Sequence, residues 1–431
     1  MNRAVVRNVS VGVCAALMVA PVGVVDLVAE AAGETITTIP LAAGSIPEAV
    51  AVAPDGTAYS VNRDTGTLSR IPAGSALPVQ NLPTGGDQPY SAAVLSNGDV
   101  FVTNRSTDTI ARIRPGVFGV PRLYPVGREP WGITATPDDT VYATTLGADT
   151  IVRINRGSVI VNSTIPLLAG SQPKDIAFST IDRRLYVANS ATGTVGRVNP
   201  VSGAVQYLPL PAGAEPRGVA VAEDGSVYVT DIGLGAVHWF RPGADTVSRT
   251  TILAGVTFPS DVAAAADGSV LVALYDTSRL QRFRNGAPGE TIELGAGRGP
   301  DRVAVGPDGT AYTADFSGDS VSRIEFPAPP PPDLGTVTTL KPQQVRRHKA
   351  KLLAGVTTVD QATTVRIHYA RNRALTRRSH VVQVRTVQAG RTRTLKKKIV
   401  DLRRHKRYWF RVEGIADGTL LTGNVRRFRT R

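Results

Sequence analysis

Seven segments of the sequence share one pattern, in which a proline opens an apolar run and a turn, which contains Gly in five of them, leads to a second run. The prolines are 41 to 43 residues apart, at Pro47, Pro89, Pro130, Pro173, Pro216, Pro259 and Pro300. Such a period indicates an array of like units, each of which needs its neighbours to bury its apolar face. The 42 Gly and 30 Pro residues favour turns and argue against a helical bundle.

Each unit predicts four short strands. The proline precedes a first apolar run, such as residues 50–53, and a two-residue turn such as Asp55-Gly56 follows it. A second strand centres on an aromatic residue, a third ends in a segment such as TIVRI, and a fourth reads like VQYLPL. Four antiparallel strands per unit of this period are typical of a β-propeller blade.

The two ends of the array predict how it closes. The seventh unit has only three strands and finishes at SVSRIEF, residues 320–326. Before the first proline, TITTIPLAAG (residues 35–44) resembles the fourth-strand segment STIPLLAG (residues 163–170). Closure would remove the exposed edges of an open array. We therefore predict an all-β chain with a seven-bladed β-propeller over residues 32–326, in which residues 35–41 complete the last blade.

Two segments, Tyr-Val-Thr-Asp at 228–231 and Phe-Val-Thr-Asn at 101–104, resemble the YVTN and NHL propeller repeats. The spacing and the Arg-Ile or Arg-Val ends of the third strands also resemble streptogramin-lyase-like propellers. That resemblance implies histidine bases, a glutamate and bound Mg²⁺. The propeller contains one histidine, His238, and its second strands lack the glutamate of the family's Trp-Phe-Thr-Glu. We therefore assign no catalytic residue, and we expect a packed strand position for His238.

The first 31 residues read as a secretory signal peptide. Arg3 and Arg7 precede a mainly apolar run from residue 9 to residue 25, and Ala29-Glu30-Ala31 forms a small-residue cleavage site. We expect a secreted or envelope-associated chain that begins at Ala32, and an uncleaved anchor is the alternative. The one cysteine, Cys14, lies inside this segment, so the mature chain would contain no disulfide.

A second domain follows a proline-rich linker. Residues 327–333 read PAPPPPD, which favours an extended spacer. Alternating runs over residues 334–431 predict a small β-sandwich. The segment from Asp401 resembles the end of a fibronectin type III domain, which would make Tyr408 its corner tyrosine and Phe410 a core residue. Trp409, between them in sequence, would point outward among arginines.

The charge is divided unevenly along the chain. Residues 334–431 contain 25 Lys and Arg against 4 Asp and Glu, a net charge of +21, which leaves −7 for the other residues out of the total of +14. A module of this charge attracts polyanions. We expect an anionic envelope polymer or polysaccharide as partner, at Lys396, Lys397, Lys398, Arg403, Arg404, Lys406, Arg407 and Trp409.

Two other interpretations of this charge stay open. In the first, the basic residues only solvate a small sandwich; in the second, they dock the basic module onto the acidic propeller of the same chain. Nucleic acid would bind by the same physics, but export argues against it as a physiological partner. We expect a monomer, with a protein partner at the propeller as a further alternative.

Propellers usually bind ligands where the loops between blades converge on the central channel. The residue after each repeat proline would lie there, as would some of the residues that come next, such as Asp175, Asp261 and Arg302. The predicted site consists of Glu48, Tyr90, Trp131, Lys174, Asp175, Arg217, Asp261, Asp301 and Arg302. Tyr90 and Trp131, on neighbouring blades, would stack on a sugar face or an aromatic ligand. The alternative is that these side chains only cap blades and satisfy loop amides.

Asn and Asp residues end most of the second strands, at Asn62, Asn104, Asn189, Asp231 and Asp315. We expect Asx-turns there, with ligation of a divalent cation, Ca²⁺ or Mg²⁺, as the alternative, and we predict no cofactor. The function predicted is that of an extracellular binding or scaffold protein, tethered by its basic sandwich. A metal-dependent lyase or hydrolase acting at the channel mouth is the alternative.

Overall fold

A computed structural model of the protein describes residues 33–78, 80–114, 116, 120–327, 334–359, 361–416 and 419–431. The predicted signal peptide and most of the proline-rich linker lie outside these residues. The chain divides into two compact units, Met1–Pro327 and Ala328–Arg431. Among the described residues no helix is long and apolar enough to cross a membrane.

In its described residues the first unit contains 28 strands and one 3₁₀ turn, Tyr275–Thr277. Strands β1 to β13 are Thr35–Pro40, Pro47–Val52, Ala58–Asn62, Thr67–Ile71, Gln80–Pro83, Pro89–Val94, Val100–Asn104, Thr109–Ile113, Arg122–Pro125, Pro130–Ala135, Val141–Thr145, Thr150–Ile154 and Ser163–Pro166. Strands β14 to β28 are Pro173–Phe178, Leu185–Asn189, Thr194–Val198, Val205–Pro209, Pro216–Val221, Val227–Asp231, Ala236–Phe240, Arg249–Ile252, Pro259–Ala264, Val270–Leu274, Arg279–Arg284, Ala287–Glu293, Pro300–Val305, Ala311–Asp315 and Ser320–Glu325.

These strands form seven four-stranded antiparallel sheets in the part of the chain that the structure describes. Six sheets contain four consecutive strands each, from β2–β5 to β22–β25. The seventh has the order β1-β28-β27-β26, with Thr35 opposite Glu325 and Pro40 opposite Ser320. The first strand therefore supplies the outer strand of the last sheet. The predicted all-β, propeller-like architecture of repeated four-stranded sheets is confirmed.

The hairpins between first and second strands are longer than the two-residue turns predicted from Asp-Gly. In the first sheet the Gly56 N–H donates to the Ala53 carbonyl, and the Ala53 N–H donates to the Thr57 carbonyl. Only Gly56 has a positive φ, of 81°, and the Asp55 carboxylate accepts the Thr57 N–H. Pro54, with its fixed φ, suits the preceding position, so Pro-Asp-Gly forms a three-residue loop and the two-residue interpretation is wrong.

The core of this unit lies between the faces of adjacent sheets. Tyr59, Val61 and Leu68 of the first sheet pack against Val100 and Val102 of the second. The same arrangement joins the last sheet to the first, where Ile39 and Val321 lie against Val50 and Ile71. Each sheet packs its two faces against the two neighbouring sheets. The closing strand therefore contributes to the core between sheets as well as to the hydrogen bonding of its own sheet.

The described part of the second unit contains eight strands in two sheets. Strands β29 to β36 are Thr336–Thr339, Ala350–Thr357, Thr363–Ala370, His380–Val387, Thr392–Ile399, Arg407–Ala416, Thr419–Thr422 and Arg426–Arg429. One sheet has the order β29-β30-β33, and the other has β32-β31-β34-β35 with β36 also paired to β34. Both sheets contribute to one core, which contains Leu352, Ile367, Phe410 and Phe428.

Tyr408 makes the hydrogen bond that a corner tyrosine would make, since its hydroxyl accepts the N–H of Arg403 at 2.9 Å. Phe410 is fully buried, whereas Trp409 is half-buried on the opposite face of the strand. The sandwich-like arrangement agrees with the alternation in the sequence. A relationship to fibronectin type III domains stays a prediction.

Truncation of the Ile39 side chain tests how much the closing strand contributes to the stability of the first unit. Ile39 has no exposed surface, and Ile39→Ala should lower the free energy of unfolding by about 2–5 kcal/mol through lost burial and the cavity left behind. Urea unfolding followed by tryptophan fluorescence measures this change. The control is Ile160→Ala, because Ile160 is 63% exposed and should change stability by less than about 0.5 kcal/mol. Equal effects of the two substitutions would contradict the closure.

Candidate functional site

A β-bulge at the start of every first strand positions the side chains around the channel mouth. In each of the seven sheets the pairing of the first two strands shifts register just after the repeat proline. A bulge adds one residue on one strand and re-aims its side chain. The residues that follow the prolines are thereby directed away from regular sheet positions.

Five of the residues predicted from the sequence line one pocket of about 300 Å³. They are Glu48, Tyr90, Trp131, Arg217 and Asp301. Four further lining residues were missed by the sequence analysis, namely Arg105, Phe258, Tyr275 and Phe316. Three of these four directly follow the end of a second strand, and Phe258 directly precedes Pro259. The repeat numbering therefore contained a signal for these residues, but the prediction considered only the two positions that follow each proline.

An ion pair between Arg217 and Asp301 is at the centre of the pocket's polar side. Arg217 Nη2 donates to both Asp301 carboxylate oxygens, at 2.7 and 2.8 Å, and to the Tyr90 hydroxyl at 3.3 Å. Its Nε donates to the Ser260 carbonyl at 3.1 Å. Burial is the largest single effect and opposes the charge of Arg217, but Asp301, Tyr90 and Glu48 act together against it, and the pKa of Arg217 lies above its ordinary value.

A second arginine cluster lies behind Tyr90 and does not line the pocket. Arg302 Nη1 is 3.0 Å from Asp175 Oδ1 and 3.7 Å from Asp261 Oδ1, and its guanidinium lies 5.5 Å from the centre of the Tyr90 ring. The other oxygens of Asp175 and Asp261 accept the N–H groups of Val219 and Val303. Both carboxylates therefore hold strands of neighbouring sheets.

The two aromatic residues predicted as a stacking platform instead contact each other. The ring centres of Tyr90 and Trp131 are 4.1 Å apart, and the Arg105 guanidinium lies 4.6 Å from the centre of the Trp131 ring. Both side chains are buried. In the part of the chain that the structure describes, the Trp131 indole N–H has no acceptor. The indole N–H is therefore a buried donor without a partner among the described residues, and Tyr90 and Arg105 lie near the ring.

The apolar part of the pocket lining is a row of half-buried aromatic side chains, one of which, Phe258, lies 4.9 Å from the Arg217 guanidinium. Tyr275 makes edge contacts with Phe258, at 5.5 Å between ring centres, and with Phe316, at 5.9 Å. Arg63 lies 4.9 Å from the Phe316 ring and 3.5 Å from Glu48. The pocket thus combines an apolar wall with a charged floor.

Burial changes the protonation of two acidic groups near the mouth. Desolvation, with a contribution from Asp301, raises the pKa of Glu48 to about 7. Desolvation also raises the pKa of Asp261 to about 7, although Arg302 acts in the opposite direction. Lys174, half-buried and not a lining residue, has a pKa below its ordinary value because of burial and the nearby Arg217.

The polar residues at the ends of the second strands bind neighbouring strands. Asn62, Asn104 and Asn189 donate to the hydroxyls of Thr67, Thr109 and Thr194, respectively. Asp231 accepts the N–H groups of Gly233 and Leu234, as in an Asx-turn, and binds the fully buried His238 at 2.8 Å. Among the described residues no cluster of three or more His, Cys, Asp or Glu could hold a metal ion.

The Mg²⁺ implied by the resemblance to streptogramin lyases does not fit the carboxylates near the channel. Asp301 is bound through both oxygens by Arg217, and Asp175 and Asp261 face Arg302. An arginine guanidinium thus already occupies the position that a hard cation would need in order to bind these oxygens. His238 binds Asp231 and Thr250 and is not among the residues that line the pocket.

The residues predicted to bind polyanions occupy three different places on the second unit. Lys396 and Lys398 are exposed, whereas Lys397 lies opposite the fully buried Leu352 on the core side of β33. Three exposed residues, Arg403, Arg404 and Lys406, belong to the connection before β34. Arg407 and Trp409 lie on the outward face of β34. Successive residues of a strand alternate sides, so the lysine triplet does not form one patch.

Removal of the Arg217 charge should destabilise the propeller unit. Asp301, whose side chain is 5% exposed, would be left as a buried carboxylate without its partner, and Arg217→Gln should cost about 3–5 kcal/mol. Urea unfolding of Arg217→Gln, Asp301→Asn and the double variant measures the interaction. The double variant should recover much of the loss, and purely additive effects would show that the pair is not coupled.

The raised pKa of Glu48 predicts a pH dependence of stability. The folded protein retains a proton that the unfolded chain loses near pH 4.5, so this contribution is complete below that pH and is lost as pH rises towards 7. Glu48→Gln should therefore lose less stability than the parent protein between about pH 5 and pH 8, measured by thermal unfolding. Glu290→Gln, at a side chain that is 52% exposed, is the control and should keep the parental slope.

Solved structures of low sequence identity share the fold of the first unit. A streptogramin B lyase structure is 18% identical, with a TM-score of 0.61, and the match covers 68% of this chain and 98% of that one. Virginiamycin B lyase from Staphylococcus aureus is 17% identical, with the same TM-score, over 68% of this chain and 99% of that one. Hydrazine synthase from Kuenenia stuttgartiensis is 17% identical, with a TM-score of 0.56, over 65% and 96%.

The comparison with curated proteins gives no match. The sequence model of the Virginiamycin B lyase family, in contrast, matches residues 34–324. That match extends over the seven sheets and over more than half of the chain. The chain therefore belongs to the virginiamycin B lyase family.

Proposed function

We propose that the protein binds a small ligand at the channel mouth of its propeller, outside the cell, and that its basic unit tethers it to an anionic polymer. One observation carries the first part of this proposal. Residues from several sheets converge on a single pocket that combines a buried Arg217–Asp301 pair with Trp131, whose N–H has no acceptor in the described parts of the chain. Ligand sites are typically concave, largely apolar and furnished with a few convergent polar groups.

The lining residues favour a compact ligand with an apolar body and a hydrogen-bond acceptor. Tyr275, Phe258 and Phe316 provide the apolar wall, and the volume of about 300 Å³ is at the lower end of ligand pockets. Trp131 and the partly exposed Arg105 supply donors, and Arg105 is only loosely paired, at 3.6 Å, with Glu129. An aromatic carboxylate has this combination of groups.

The alternative is a lyase that acts at the same mouth, and family membership favours it. One solved relative is a catalytically inactive virginiamycin B lyase from Staphylococcus aureus with quinupristin. The arginine-bound carboxylates and the buried His238 argue for binding without reaction. Incubation of the protein with quinupristin and Mg²⁺, followed by chromatography, decides between the two: conversion of quinupristin would establish the lyase, and its recovery unchanged supports binding.

The second part of the proposal, that the basic unit tethers the protein to an anionic polymer, is supported by the net charge of +21 carried by residues 334–431. Salt screens attraction between exposed charges, so retention on purified cell envelope should fall steeply as ionic strength rises. Retention that is unchanged at high salt, or its absence at low salt, would contradict an electrostatic tether.

A single substitution tests the pocket. Trp131→Phe removes the indole N–H and keeps an aromatic ring, so it should weaken binding of an aromatic carboxylate such as phenylacetate by about tenfold, the value of one hydrogen bond. Titration calorimetry measures the affinity. The matched control is Trp239→Phe, because the Trp239 N–H also has no acceptor among the described residues but lies outside the pocket. Equal loss in both variants would exclude this pocket as the site.

A further inference from the structure

The outward face of the larger sheet in the second unit carries arginines from three adjacent strands. On β34, Tyr408 and Phe410 point into the core, so Arg407, Trp409 and Arg411 face outward. The arginine face, as we call it, consists of Arg366, Arg407, Arg411, Arg427 and Arg429 around Trp409.

The registers show how these side chains adjoin. Trp409 lies between Ala370 on β31 and Arg427 on β36, and Arg407 is directly opposite Arg429. Like charges placed directly opposite each other on a sheet destabilise it. The pairing of Arg407 with Arg429 therefore does not serve the stability of the fold, which points to an anion that would bind between them.

One end of the arginine face is neutralised and the other end is not. Glu413, with 2% of its side chain exposed, accepts hydrogen bonds from Arg366 and Arg411 at 2.7 and 2.8 Å and lies 3.2 Å from His368. It is the one acidic residue in β31, β34 and β36. Among the described residues no carboxylate pairs with Arg407, Arg427 or Arg429, all of which are exposed. In the strand register these three arginines adjoin Trp409, and among the described residues no carboxylate holds their guanidiniums away from a ligand.

The chemistry of this end favours an acidic sugar chain. Guanidinium groups bind carboxylates through two parallel hydrogen bonds, and arginine is better suited to this than lysine. The half-buried indole of Trp409 provides an amphipathic aromatic surface beside them. Lys398 is also directly opposite a like charge, Lys351, but Lys396 and Lys398 lie on an edge strand and no aromatic side chain is paired with either of them.

We infer that the arginine face is the site at which the second unit binds a carboxylate-bearing polysaccharide, with Arg407, Arg427 and Arg429 on its acid groups and Trp409 against its sugar rings. This inference rests on the tethering function proposed above and assigns it to one surface. On this assignment the lysines of β33 contribute only secondarily, through the general electrostatic attraction between the basic unit and a polyanion.

Retention of the mature chain, residues 32–431, on immobilised polygalacturonate tests the inference. Substitution of Arg407, Arg427 and Arg429 by Gln should weaken retention by about tenfold or more, because three surface ion pairs are lost together. The matched control is the triple variant Lys396→Gln, Lys398→Gln and Arg391→Gln, which removes the same charge from another strand and its turn. It should weaken retention by no more than about threefold through the change in net charge.

Trp409→Leu separates ring contact from charge. Retention on polygalacturonate should fall in this variant, whereas retention on inorganic polyphosphate, a polyanion without sugar rings, should equal that of the parent protein. Circular dichroism and the thermal midpoint of each variant establish that the sandwich remains folded.

The outcomes distinguish this inference from the tether itself. Failure of the parent protein to bind polygalacturonate, with retention on cell envelope intact, would overturn the partner class and leave the tether standing. Equal losses in the two triple variants would show that only net charge matters and would overturn the assignment to this face. Retention on duplex DNA but not on polygalacturonate would make nucleic acid the partner.

Discussion

The pairing of Thr35–Pro40 with Ser320–Glu325 is the interaction on which the rest of the first unit depends. It joins the two ends of the array in one sheet. The last sheet then packs against the first sheet and covers its core residues. Only then do the first strands of all seven sheets face a common centre. The contact of Arg217 with Tyr90 and Asp301, which are far apart in sequence, requires that geometry.

Buried arginines organise the polar centre. Arg217 joins β18 to β6 and β26, and Arg302 joins β26 to β14 and β22. Buried ion pairs add little net stability compared with apolar packing, but the loss of one partner is costly. In this protein they hold Tyr90 between two guanidiniums, since its hydroxyl binds Arg217 and its ring lies near Arg302. The chemistry available at the mouth follows from this arrangement.

Sequence reasoning found part of the pocket lining because the repeat supplies a common numbering. Glu48, Tyr90, Trp131, Arg217 and Asp301 hold equivalent places after a repeat proline, and they line one pocket. Arg302 and Asp175 were also chosen, but they lie behind the pocket because their position is one residue further along the bulged strand. The contact between Tyr90 and Trp131 could not be read from spacing, since it depends on how neighbouring sheets approach each other.

By itself, the sequence determined the repeated four-stranded units, the all-β class and the separation of acidic and basic parts, because periodicity, turn residues and charge are local properties. Tertiary structure alone decided which carboxylates meet arginines and which donors stay unpaired. It also decided that Lys397 turns towards the core side whereas Arg407 and Trp409 share an outward face. These outcomes depend on distances between residues remote in the chain, and they arise only when sheets pack and strands take their register.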